Sequence, residues 1–113
     1  MNEQKNFIAI AVKGNGEMWG GHFGMAPFFL IYNYDAGLIE KRENPFGAGH
    51  GKHEHHDNPK LIVELLKDCK IFIAKRMGAE SKKKLVKNQR INPFITKKDD
   101  PQLALCEYLK FEE

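Results

Sequence analysis

Apolar residues fall along the chain in blocks of two kinds, one with strand length and one with helical spacing. Phe7 to Val12 (Phe-Ile-Ala-Ile-Ala-Val) is apolar at every position, which suits a central strand covered on both faces. Pro27 to Tyr34 predicts a second strand, Asp35-Ala36-Gly37 a turn, and Leu38 to Glu43 a third strand, so that this pair reads as a hairpin. The third strand is rich in charge, as expected at a sheet edge. A fourth strand lies within Lys70 to Ala74, around Ile71-Phe72-Ile73. A short fifth runs from Ile91 to Thr96, where Pro93 lacks the donor that a central ladder needs, so the strand belongs at an edge.

The helical blocks come later. Asp57-Asn58-Pro59 sets a capping side chain before a proline, and Leu61, Ile62, Leu65 and Leu66 form the apolar stripe that follows. A second helix over 79–88 has Ala79, Leu85 and Val86 as its apolar face, with Lys82-Lys83-Lys84 as a solvated face. A third begins at Asp99-Asp100-Pro101 and has Leu103, Leu105, Cys106 and Leu109 as apolar positions. Two stretches fit neither kind. Lys13 to Gly24 has glycines at 14, 16, 20, 21 and 24, and Asn44 to His56 is a second Gly- and His-rich segment. Both read as loops.

The order β-β-β-α-β-α-β-α constrains the topology. Hairpins place strand two beside one and three beside two, and right-handed crossovers place four beside one and five beside four. The expectation is a single α/β domain over 1–113. Its five-stranded mixed sheet has the order 3-2-1-4-5, strand two is antiparallel to the rest, and three helices complete a ribonuclease-H-like arrangement. The loops after strands one, three and four then converge at the carboxyl ends of the parallel strands, where open α/β sheets bind ligands. The second helix starts there, with its positive dipole end.

Composition narrows the classes of function. A chain of 113 residues is one domain with one real core. The net charge of +3 comes from scattered lysines, too weak a signal for nucleic acid but favourable to a small anion. No apolar run approaches the ~20 residues of a membrane span, and Met1 to Asn6 has no signal-peptide apolar region. A cytoplasmic location is expected. Cys69 and Cys106 do not form a CxxC pair. Cys69 precedes the fourth strand, at the opposite end from the converging loops, and Cys106 is expected in the core.

All five histidines fall in the two loops. His22 lies between flexible glycines, directly before an apolar strand. On spacing alone it is either a turn-shaping residue or a metal ligand. Gly20, Gly21 and Gly24 either shape the turn or let backbone approach a bulky ligand. His50, His53, His55 and His56 have the density of a metal-binding tract, without the rigid spacing of a zinc site. Lys75 and Arg76 are solvated charges or face the ligand mouth. Met25 and Met77 are packing or soft sulfur donors, and Trp19 covers either the ligand or the loop base. Strands one and four carry no acid, so a two-metal nuclease is not expected. No hydroxyl or thiol nucleophile has a histidine base beside it.

The segment His22-Phe23-Gly24, with Ala26-Pro27 and the apolar strand after it, resembles the dinitrogenase iron–molybdenum cofactor family, which includes the carriers NifX and NafY and the C-terminal domain of NifB. The resemblance runs over nearly the whole chain and includes Asn44-Pro45 followed by Gly49-His50-Gly51. After the fourth strand the family's Gly-Gly-Ile-Gly type of turn is replaced by Lys75-Arg76-Met77-Gly78, which retains the last glycine alone. The resemblance implies a ribonuclease-H-like fold and a non-enzymatic carrier of a preformed iron–sulfur or molybdenum-containing cluster, exchanging it with donor and acceptor proteins. The residues expected to contact that cluster are Gly21, His22, Phe23, Gly24, Met25, Lys75, Arg76 and Gly78, with His22 as the metal ligand. One histidine is few ligands, so either a monomer with a transient site or a homodimer sharing ligands is expected. The alternative reading is a module that binds or buffers zinc, nickel or copper through His50, His53, His55 and His56. No nucleic acid and no membrane is expected as a partner.

Overall fold

A computed structural model describes residues 7–35, 37–45, 59–89 and 91–112 of the chain. The strands are β1 (Phe7–Val12), β2 (Phe28–Tyr32), β3 (Leu38–Glu43), β4 (Cys69–Ala74) and β5 (Asn92–Ile95). The helices are α1 (Pro59–Leu65), α2 (Ala79–Gln89) and α3 (Pro101–Glu112), with one short 3₁₀ turn at Phe23–Met25. The strands form one mixed sheet in the order β3-β2-β1-β4-β5, as the crossover argument predicts. Strand β2 runs antiparallel to β1 and β3, while β4 runs parallel to both β1 and β5. The five strands follow the predicted segments closely. The turn at 23–25 lies where the glycine-rich sequence predicts a loop, and it is closed by the Met25 N–H on the His22 carbonyl and the Ala26 N–H on the Phe23 carbonyl.

Alternation along β1 divides the core in two. Ala9 and Ala11 face one side, where Phe23, Phe29, Phe72, Ile62, Leu66 and Leu85 gather beneath α1 and α2. Ile8, Ile10 and Val12 face the other, with Ile71, Ile73, Ala104, Leu105 and Tyr108 of α3. Small alanines under one layer and branched side chains under the other match the bulk that each layer receives. The central strands are indeed wholly inside: Ile8 to Val12 have no exposed surface. Burial of apolar surface, to which this strand contributes along its length, is the dominant favourable term in folding. Among the described residues no helix is long and apolar enough to cross a membrane.

Two helical faces differ from the sequence expectation. On α3 the buried stripe is Pro101, Ala104, Leu105 and Tyr108, whereas Leu103 is 56% exposed and Cys106 is exposed. Packing against the sheet explains it, because Ala104, Leu105 and Tyr108 share a layer with Ile8, Ile10 and Ile73. Asp100 caps α3 through Oδ2, which accepts from the backbone N–H of Gln102 at 3.0 Å and of Leu103 at 3.1 Å. Helical periodicity puts positions 101, 104, 105 and 108 on the side that meets the sheet and turns 103 and 106 away. On α2 only Leu85 of the three expected positions is buried; Ala79 and Val86 are exposed beside Lys82, Lys83 and Lys84. Leu85 reaches the same core layer as Ile62 and Leu66 of the α1 region. The cap expected at Asp57-Asn58 lies outside the described residues.

Candidate functional site

After β1 the chain makes a tight excursion and returns. Lys13 and Glu17 close it through a backbone hydrogen bond of 2.7 Å, and Gly16 takes the left-handed φ of 94° that the turn requires. Met18 then pairs with Val12, and the Trp19 N–H donates to the Ala11 carbonyl at 3.1 Å. The segment after β1 is therefore tied back to the central strand before His22 is reached.

His22 itself bridges Arg76 in parallel register just beyond β4, and the next N–H, of Phe23, donates to the Arg76 carbonyl at 2.9 Å. The loops that follow β1 and β4 therefore meet at the carboxyl edge of the sheet. The His22 carbonyl accepts two donors, the Met25 N–H and the Trp19 indole Nε1–H, each at 2.9 Å. Behind the turn, the Phe23 ring is buried and stacked on Phe72, with centroids 4.6 Å apart. The His22 side chain makes no capping hydrogen bond and is exposed. What results is a solvent-facing imidazole on a backbone held from several directions, with the Arg76 side chain, also exposed, on the adjoining strand end.

The other predicted site residues divide by environment. Phe23 is a core anchor whose ring lies in the aromatic cluster with Phe29 and Phe72, away from solvent. Gly24 backs onto α1, where an added Cβ would lie 3.4 Å from Ile62 Cγ1. Gly21 lies under the Trp19 indole, and an added Cβ there would be 2.9 Å from Nε1. Met25 is half-buried, and Met77 packs against the aromatic core layer. The Gly78 carbonyl accepts the Lys82 N–H at 2.9 Å, which opens α2. Lys75 forms an ion pair with Asp99. It directly follows Ala74, which packs in the Phe23 layer, and strand alternation turns it to the other side, toward the start of α3. Asp99 is held below the usual carboxylate range by that lysine. Arg76, not Lys75, is thus the cation beside His22. The predicted ligands His50, His53, His55 and His56 lie outside the described residues. Among the described residues no group of three or more His, Cys, Asp or Glu side chains could hold a metal ion.

Asn44, which enters the family resemblance only as part of Asn44-Pro45, is a structural component of the His22 turn. It has no exposed surface. Its Nδ2 donates to the Gly24 carbonyl at 3.0 Å and to the Ala26 carbonyl at 2.8 Å, and its backbone N–H donates to the Pro27 carbonyl at 2.9 Å. In sequence it is a polar residue before a proline at the end of an edge strand, a pattern that reads as an ordinary turn.

A family model described as dinitrogenase iron-molybdenum cofactor matches residues 4–110. The chain belongs to that family. The match takes in the His22 turn, Asn44 and the Arg76 strand end together. Among solved structures, an NMR structure of a Thermotoga protein, provisionally named a NifB protein and placed in the DUF35 family, has a TM-score of 0.65 and 24% identity, covering 93% of this chain and 88% of that one. It shares the fold of this family member. No curated protein sequence matches the chain significantly.

Proposed function

We propose that the chain binds and carries a preformed anionic metal–sulfur cluster: the iron–molybdenum cofactor, its precursor, or a related iron–sulfur or molybdenum-containing cluster. The observation that carries this reading is the exposed His22 imidazole on a turn whose backbone is tied to β1, β4 and the aromatic core, in a chain of this family. A complete cluster brings its own sulfide ligands and needs from its carrier a ligand for an open metal position and compensation of charge. A neutral imidazole supplies the first. The Arg76 guanidinium, with a fork of five N–H donors, suits the second. A net charge of +3 favours an anionic cargo.

The role is that of a carrier and not of an enzyme. In support, β1 (Phe-Ile-Ala-Ile-Ala-Val) and β4 (Cys-Lys-Ile-Phe-Ile-Ala) bring no carboxylate to the sheet's central edge. Metal-ion hydrolysis would need carboxylates there. A carrier also requires donor and acceptor proteins, and as a monomer or a homodimer it would exchange cargo with both. A reducing cytoplasm suits its free thiols, Cys69 and Cys106. We assign the fold to the ribonuclease-H-like class; the order β3-β2-β1-β4-β5 with β2 reversed supports the assignment.

Anaerobic reconstitution with cluster, followed by visible absorption and metal and sulfide analysis, tests the reading. Wild type is expected to retain cluster through desalting, and His22→Ala to lose it. Equal retention by both removes His22 from the site, and no retention by either ends the carrier reading for the clusters tried.

A further inference from the structure

Asn44 and Thr96 are the buried polar side chains among the described residues. The hydroxyl of Thr96 bonds Glu107 on α3, an ordinary tie between a strand end and a helix. Asn44 does something different. Its amide reaches across from the end of β3 to Gly24, in a turn 20 residues earlier in the chain. Both partners are carbonyl oxygens, so the amide nitrogen must face them, and each of its hydrogens has an acceptor. Together with the Asn44 N–H on Pro27, one residue fixes the carbonyls of Gly24, Ala26 and Pro27. These directly follow His22-Phe23 and lead into β2.

The remaining bonds of the turn place the consequence at His22. The 3₁₀ turn is short, closed by Met25 N–H to His22 O at 2.9 Å and Ala26 N–H to Phe23 O at 3.2 Å. A turn of this length has little cooperative stability of its own. Phe23 pins one side of it to the core, and Asn44 pins the far side. If the Asn44 pin is removed, the buried carbonyl of Ala26 and its neighbour at Gly24 lose their donor, and the turn must shift to recover one. Such a shift rotates the peptide that carries the His22 imidazole and loosens the Trp19 indole on the His22 carbonyl.

We infer that Asn44 is a positioning residue for His22: by holding the Gly24 and Ala26 carbonyls it sets the direction in which the imidazole is presented. Asn44 touches no cargo itself. Its effect on cargo rests on the carrier reading above, whereas its effect on His22 and Trp19 does not, and this separates the two in experiment.

The test compares Asn44→Ala and Asn44→Asp with wild type and with Leu105→Ala, a destabilised control on the α3 face. Two signals are read in the free protein: the His22 ring resonances by NMR and the emission of Trp19, the chain's one tryptophan. Binding of tetrathiomolybdate, a simple anionic molybdenum sulfide, is read by visible absorption without oxygen. Both Asn44 variants should keep the amide resonances of β1 and shift the His22 and Trp19 signals. They should weaken the probe by about 2–10-fold, the worth of one misdirected hydrogen bond from the imidazole to a sulfide. Leu105→Ala should leave both signals in place. In Asn44→Asp the carboxylate faces two carbonyl oxygens. Protonation gives it one O–H to donate, so its Trp19 emission should move back toward wild type on acidification, a reversal that a general packing defect would not show. Should Asn44→Ala fail to fold, this isosteric variant decides the matter. His22 and Trp19 signals that superpose on wild type in a folded Asn44 variant overturn the inference. Failure of the wild type to bind tetrathiomolybdate counts against the carrier reading for that anion, and leaves the two spectroscopic signals to decide on Asn44.

Discussion

Phe23 lies stacked on Phe72, with ring centroids 4.6 Å apart and planes 14° from parallel. Phe29 closes the same cluster at 4.9 Å from Phe23. Adjacent residues of one turn thus have opposite fates. Phe23 is 3% exposed and anchors the turn, while His22 is exposed and free to meet a ligand. A consequence follows for stability. Phe23→Ala removes a buried ring and is expected to cost about 3–5 kcal/mol. His22→Ala should stay within about 0.5 kcal/mol of wild type, as a surface change does. Urea denaturation monitored by circular dichroism measures both. A Phe23→Ala protein as stable as wild type would contradict the anchor.

Gly21 is required by the indole above it. An alanine Cβ there would meet Trp19 Nε1 at 2.9 Å and the adjoining ring carbons at 3.0 Å. Gly21→Ala should displace the indole, break its bond to the His22 carbonyl, and shift Trp19 emission to the red as the ring gains water. Gly20→Ala meets nothing within 4 Å and should leave the emission unchanged. Identical spectra for the two variants would refute this account.

Arg42 ties the edge strand β3 to the end of α1. Its Nη1 donates to the Leu65 carbonyl and to Asp68 Oδ1, each at 3.0 Å, and its Nη2 donates to Asp68 Oδ2 at 3.1 Å. The pair is partly screened from water, with side chains 19% and 29% exposed, so loss of either partner should cost about 1–3 kcal/mol. The hydrogen bond from Arg42 holds Asp68 below the usual carboxylate range. An acid with a lowered folded pKa stabilises above its unfolded value, near pH 4, and that stability is lost as pH falls through the folded value. Asp68→Asn lacks it throughout. The stability difference between wild type and Asp68→Asn should therefore be full at pH 7 and shrink on acidification below about pH 4. A difference that persists undiminished at pH 2 would argue for packing and not charge.

The two thiols should differ sharply in reactivity. Cys69 is buried, and burial, with the adjacent Asp68 charge, pushes its thiol up to about 12. Cys106 is exposed on α3. The thiolate is the reactive form, so Ellman's reagent at pH 8 should titrate Cys106 alone in the native protein and both thiols in guanidinium. Cys106→Ser should abolish the native reaction. Equal rates for both thiols in wild type would show that Cys69 is not enclosed as described.

The predicted strand order was legible because it follows from a few local decisions. Phe7 to Val12 has no polar face and must be central. Asp35 to Gly37 makes a hairpin unavoidable, and Pro93 sends the last strand to an edge. Handedness does the rest, and it also brings the ends of β1 and β4 together, which is why His22 and Arg76 were expected at one rim. Helix faces were less legible. In α3 the sequence offers Leu103 and Cys106 as well as Leu105 as apolar positions, and only the packing of Ala104, Leu105 and Tyr108 against the sheet leaves the first two exposed.

By itself, then, the sequence determined the elements, their order in the sheet and the rim that carries His22, because periodicity and connection length act locally and chirality has one sign. The tertiary structure decided how the rim is built. Phe23 turns inward because the alanines of β1 leave space beneath the rings of Phe29 and Phe72. Lys75 is engaged away from His22 because Asp99, at the start of α3, stands on its side of the sheet. Asn44 becomes a clamp because hydrogen-bond partners distant in sequence meet only when β3 lies beside β2. Each of these depends on what stands opposite a side chain in space, and no local pattern along the chain records that.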